Sequence, residues 1–124
     1  MSSKANEFSG AHASIGVEIE RAGDVLNFTL NNVEHENEVT GAMFDAMLAE
    51  LRREAAHPSA RVLRIRAKGK VFCTGRERAG RDAVTIHNEA ARLIEFKRAV
   101  RTSSLISVAE VKGNAFGFGF GLAI

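Results

Sequence analysis

Apolar and polar positions alternate near the start of the chain. Ile15, Val17 and Ile19 are interleaved with Gly16, Glu18 and Glu20, and after Ala22-Gly23-Asp24 the positions Leu26, Phe28 and Leu30 are interleaved with Val25, Asn27 and Thr29. A period of two on both sides of a glycine turn predicts a hairpin of two half-buried strands. Asn31-Asn32 stops the second strand, and 32–38 reads as a polar loop. From Thr40 the period changes: Met43, Phe44, Met47, Leu48 and Leu51 recur at three and four residues, with Asp45, Glu50, Arg52 and Arg53 elsewhere. That pattern predicts a helix over 40–57 with one face on a sheet, capped by Thr40 and ended before Pro58. A third strand is expected over 62–67, with Leu63 and Ile65 on one side and Val62, Arg64 and Arg66 on the other. A turn at 67–70, the short apolar run Val71-Phe72-Cys73 and a break at Thr74-Gly75 follow. A second helix is read over 82–101, carrying Val84, Ile86, Ala90, Leu93, Ile94 and Val100, and a fourth strand over 105–111. The order strand, helix, strand, helix, strand predicts an α/β crossover sheet.

Residues 1–14 lack such periodicity, so they are read as a flexible leader, with 15–124 as the folded part. In 124 residues, 45% of them hydrophobic, there is material for one core without disulfide or metal staples. The 17 Lys and Arg against 15 Asp and Glu leave a net charge of +2, and the two signs are interleaved, which argues against a nucleic-acid stripe. With no Trp and no Tyr, a base-stacking platform is not expected either. Cys73 is the only cysteine, and His12, His35, His57 and His87 are scattered, so no zinc spacing exists and no metal is expected. The first residues lack the apolar core of a secretory signal and no apolar run reaches membrane-spanning length, which makes a cytoplasmic protein the expectation.

Glycine clusters offer the candidate chemistry. Gly117-Phe118-Gly119-Phe120-Gly121 follows a strand, but the dinucleotide fingerprint needs a glycine where Leu122 stands. Gly69-Lys70 has no phosphate-loop context. Taken together, the turns Phe72-Cys73-Thr74-Gly75-Arg76 and Gly113-Asn114-Ala115-Phe116-Gly117-Phe118-Gly119 say more. Both are read as lying between a strand and a helix, where glycine lets a ligand approach the backbone and free amide hydrogens favour negative charge. Two such turns side by side make a two-donor oxyanion hole, and losing one donor of such a pair costs about 3 kcal/mol.

From Ile15 onward the chain resembles the crotonase superfamily, the enoyl-CoA hydratase/isomerase family. The resemblance is carried by the opening hairpin, by Asn37 ahead of the amphipathic helix, by Phe72-Cys73-Thr74-Gly75, and by Gly113-x-Ala115-x-Gly117-x-Gly119-x-x-Leu122-Ala123. It implies a spiral of ββα units that binds an acyl-CoA thioester and stabilises its enolate with two backbone amides. Those donors would be the amides of Arg76 and Phe118, with Thr74, Gly75, Glu77, Arg78 and Gly117 around the substrate. It also implies a homo-oligomer, a trimer or a dimer of trimers, and no cofactor beyond the coenzyme A of the substrate itself. The family's C-terminal helices would lie beyond Ile124, so the chain is expected to be an N-terminal part of a longer fold.

One departure bears on the reaction. Family hydratases carry a glutamate where this chain has Gly121, and glycine can neither take nor give a proton. The alternative is therefore a non-catalytic protein of the crotonase fold, or an inactive fragment that lacks the acid and base residues. Cys73 follows two apolar residues and has no local histidine, which makes it a core residue. His87 reads as a solvated helix position. Lys68, Lys70, Arg76 and Arg78 surround the first glycine turn and either hold coenzyme A phosphates or form a solvated loop with Glu77.

Overall fold

The computed structural model describes residues 15–77 and 80–115. Strand β1 (Val17–Ala22) turns through Gly23-Asp24 into strand β2 (Val25–Leu30), with Ala22 opposite Val25 and Val17 opposite Leu30. A 3-10 turn at Val33–His35 occupies part of the expected loop and leads into helix α1 (Gly41–Ala56). Thr40 caps α1 as its spacing predicts: its Oγ1 accepts from the Met43 amide at 3.2 Å. Strand β3 (Val62–Ala67), helix α2 (Ala83–Thr102) and strand β4 (Ile106–Ala109) complete the described elements.

The sheet order is β1-β2-β3-β4, antiparallel in the hairpin and parallel from β2 onward. Each parallel step is bridged by one helix, the α/β crossover arrangement that the alternating periods imply. The core lies between one sheet face and α1. Val17, Ile19, Leu26, Phe28, Leu30, Leu63 and Ile65 meet Met43, Phe44, Met47, Leu48 and Leu51, all buried. Every apolar α1 position picked out by spacing is thus in the core.

Two expectations change. Strand β2 is not half-buried, because Asn27 and Thr29 on its polar face are buried as well. The strand runs between two others, and from β3 the Arg64 Nε donates to Asn27 Oδ1 at 2.8 Å and the Arg66 Nε to Thr29 Oγ1 at 3.0 Å. The long aliphatic stems of these arginines cover the face that alternation assigns to water. Helix α2 starts at the carboxylate of Asp82, which accepts from the Thr85 amide at 3.0 Å, but its apolar stripe enters the core only in part. Val84, Ile86 and Ile94 are exposed and Phe96 is its one fully buried residue, edge-on to Phe44 with ring centroids 5.6 Å apart. The helix leans on α1, and Leu93, Ala99 and Val100 pack partly buried against the core around Phe96. Strand β4 is shorter than the pattern over 105–111, and Ile106, Val108 and Val111 are exposed.

Candidate functional site

The loops at the carboxyl ends of β2 and β3 are tied together by one side chain. Asn37 is buried, with φ of 57°, a left-handed conformation that asparagine tolerates better than most residues. Its Oδ1 accepts from the Asn32 amide at 2.9 Å, while its Nδ2 donates to the carbonyls of Lys68 at 2.8 Å and Val71 at 2.7 Å. Asn37 thereby fixes the turn that delivers Phe72 and Cys73. The sequence marks the residue as part of a motif but gives it no task, since two of its three partners lie more than 30 residues away in the turn after β3. Asn37→Ala should cost about 3 kcal/mol, because it strands two part-buried carbonyls and one amide. A urea denaturation midpoint that moves by the equivalent of less than about 1 kcal/mol would refute this role.

Beyond that turn the chain runs between two neighbours. On one flank Cys73 forms a parallel bridge with Ala115, and the Phe72 amide donates to the Asn114 carbonyl at 2.9 Å. On the other flank Arg76 forms a parallel bridge with Val39: the Val39 amide donates to Gly75 O at 2.9 Å and the Glu77 amide to Val39 O at 2.8 Å. In this pairing the flanking peptides of Arg76 face Val39, so its own N–H points to the opposite side. There it meets no acceptor among the described residues. Gly75 makes the change of direction between the two bridges with φ of 129°, backbone that a side chain resists. The Thr74 hydroxyl donates to the Glu36 carbonyl at 3.1 Å.

The Arg76 side chain leaves the loop for helix α2, where its Nη1 lies 2.9 Å from Glu89 Oε1. Arg76 and Glu77 line a cavity of about 290 Å³ with Val39, Phe44, Asn88 and Glu89. Of the basic cluster, Arg76 is thus paired with Glu89, and Lys68 is paired with Glu18 at 2.8 Å. Lys70 is exposed. Cys73 is fully buried, which pushes its thiol pKa up against the smaller opposing effect of the Gly75 carbonyl contact, so it fits the core role. His87 is exposed on α2. Arg78, Gly117, Phe118 and Gly121 lie outside the described residues. Among the described residues no group of three or more His, Cys, Asp and Glu is placed to hold a metal ion, and no helix is long and apolar enough to cross a membrane.

The profile of the enoyl-CoA hydratase/isomerase family matches residues 20–124. The chain belongs to this family. Several solved structures share the fold of this enoyl-CoA hydratase/isomerase family chain. AtuE of Pseudomonas aeruginosa is 26% identical with a TM-score of 0.77, over 86% of this chain and 44% of its own. An enoyl-CoA hydratase of Mycobacterium smegmatis is 26% identical with a TM-score of 0.80, over the same shares of the two chains. An enoyl-CoA hydratase from Bacillus anthracis is 21% identical with a TM-score of 0.80, over 87% of this chain and 44% of its own. The chain therefore spans less than half the length of the structures it resembles. No curated protein matches it by sequence. Within this crotonase-type fold, the segment from Phe72 to Glu77 joins the β3 end to α2 and presents an amide that the sheet does not use.

Proposed function

We propose that this chain carries the thioester-binding half of an acyl-CoA enzyme, in which the amides of Arg76 and Phe118 together stabilise a thioester enolate. The observation that supports this most is the parallel bridge between Cys73 and Ala115. In a parallel pair, residues at equal distances past the bridge run side by side. Arg76 follows Cys73 by three residues in the sequence and Phe118 follows Ala115 by three, so the bridge joins the two glycine turns that carry the proposed donors. An enolate oxygen between them would accept two hydrogen bonds from backbone, which needs no particular side chain at either position. Thr74, Gly75, Glu77, Arg78 and Gly117 would border the thioester, with coenzyme A entering as part of the substrate and no separate cofactor. In this reading the whole protein is a cytoplasmic homo-oligomer, a trimer or a dimer of trimers.

Gly121 favours a second reading, a family member that binds the thioester without adding water, since the position has no carboxylate to move a proton. A thermal-shift series separates the readings from any nucleotide-binding role. Acyl-CoA at a hundred times its Kd should stabilise the protein by about 2.7 kcal/mol, and ATP and NAD should leave the melting temperature unchanged. Equal stabilisation by ATP would overturn the proposal. Gly75→Pro should abolish the acyl-CoA effect, because proline holds φ near −65° where this loop needs 129°. If Gly75→Pro still binds acyl-CoA as the parent does, the oxyanion loop is elsewhere.

A further inference from the structure

Helix α2 is attached to the core by Phe96, its one fully buried residue, with Leu93, Ala99 and Val100 partly buried beside it. The ion pairs that join it to the rest of the fold differ in shielding. Arg92 pairs with Asp45 at 3.1 Å with side chains 38% and 62% exposed, and Arg52 pairs with Glu95 in a similarly open setting. Pairs so exposed contribute on the order of 0 to 1 kcal/mol. Arg76 and Glu89 are only 26% and 12% exposed, and their contact at 2.9 Å joins the second full turn of α2 to the loop that carries the Arg76 amide.

The Val39 bridge fixes the Arg76 segment along one edge, through Gly75 O and Glu77 N. A segment held along one edge can still roll about it, and the roll sets where the Arg76 N–H points. The Arg76 side chain springs from that same residue, so anchoring its guanidinium on a helix restricts the roll. We propose that Glu89 is a positioning residue, whose ion pair with Arg76 aims the Arg76 amide at the thioester oxygen and links the seating of α2 to the strength of the oxyanion hole. This rests on the reading of that amide as an oxyanion donor. It also revises the expectation that any side chain serves at position 76: the donor is backbone, but its direction depends on the guanidinium. Hydrogen bonds weaken steeply as their angle closes, so a small roll is enough to matter.

The test uses a short 2-enoyl-CoA, isotope-labelled at its carbonyl carbon, bound to the full protein and read by infrared difference spectroscopy. Binding to the parent protein should move the carbonyl stretch to lower frequency, as two aligned donors polarise the bond. Glu89→Gln should retain enoyl-CoA affinity within about threefold while losing about half or more of that shift, since the donor is misaligned and not removed. The charge-swapped double variant Arg76→Glu with Glu89→Arg should recover most of the shift, which also covers the case in which Glu89→Gln folds poorly. Glu95→Gln, which breaks an exposed pair on the same helix, should leave the shift intact. A full shift in Glu89→Gln overturns the positioning role and leaves the oxyanion reading standing. An equal loss in Glu95→Gln also overturns it, because any loosening of α2 would then suffice. Absence of a shift in the parent protein overturns the oxyanion reading, and the role of Glu89 falls with it.

Discussion

Gly113→Ala is expected to be among the most damaging single substitutions in the described chain. A Cβ at Gly113 would overlap the carbonyl oxygen of Lys70 and lie 3.0 Å from its carbonyl carbon, and the residue holds φ of +99°, which no side chain adopts without strain. Neither segment can step aside cheaply. The Lys70 turn is held by the bonds from Asn37 to Lys68 and Val71, and the Gly113 segment is held by the Asn114 and Ala115 pairings to Phe72 and Cys73. Overpacking and left-handed strain together should cost about 3 kcal/mol or more. Because the overlap pushes apart the two segments whose adjacency supports the proposed oxyanion hole, acyl-CoA stabilisation should vanish as well. Urea denaturation measures the first effect and thermal shift the second; a variant within about 0.5 kcal/mol of the parent would show that the approach of these loops is not close in solution.

Arg21→Ala should be comparably costly for an electrostatic reason. Arg21 reaches from β1 over the end of the core to two acids of α1, with Nη2 at 2.6 Å from Glu50 Oε2 and Nη1 at 2.6 Å from Glu54 Oε1. Glu50 and Glu54 are 2% and 4% exposed. Deleting the cation leaves two buried carboxylates, and breaking a pair in this way costs about 3 to 5 kcal/mol. Glu54 also shapes the acid limb of stability. Burial opposes its ionisation, but the amides of Ala60 and Ser59 and the Arg21 guanidinium outweigh that and bring its pKa from 4.5 down to about 2. A folded-state pKa below the unfolded one means stability that is complete above pH 4.5 and lost as pH falls through about 2. In Arg21→Ala the Glu54 pKa should move back up, so the fall in urea midpoint between those two pH values should become shallower. An unchanged slope would mean that Arg21 is not what holds this carboxylate ionised.

These two sites mark where sequence reading stops. The hairpin, helix α1 and strand β3 were legible because their signals are local: a period of two or 3.6, a threonine cap, a proline stop. Each puts its apolar side on the core whatever the rest of the chain does, and in α1 the five spaced apolar positions are all buried. The family was legible too, since Asn37 and the glycine turns keep a fixed order along the chain. What periodicity misjudged is burial set by distant neighbours. Strand β2 is covered on its polar face by arginines 37 residues away, and α2 buries only Phe96 fully, with Leu93, Ala99 and Val100 partly buried against the core.

The candidate site divides along the same line. Glycine spacing by itself determined which backbone segments are able to expose amides, because that ability is a property of a few consecutive residues. Only the tertiary structure decided that Asn37 ties those loops together, that Cys73 and Ala115 set their register, and that Arg76 turns to Glu89 instead of to solvent. Contacts between residues 13 to 42 positions apart depend on how helices and strands pack, and a one-dimensional pattern carries only the periods of the elements themselves, not the angles at which they meet.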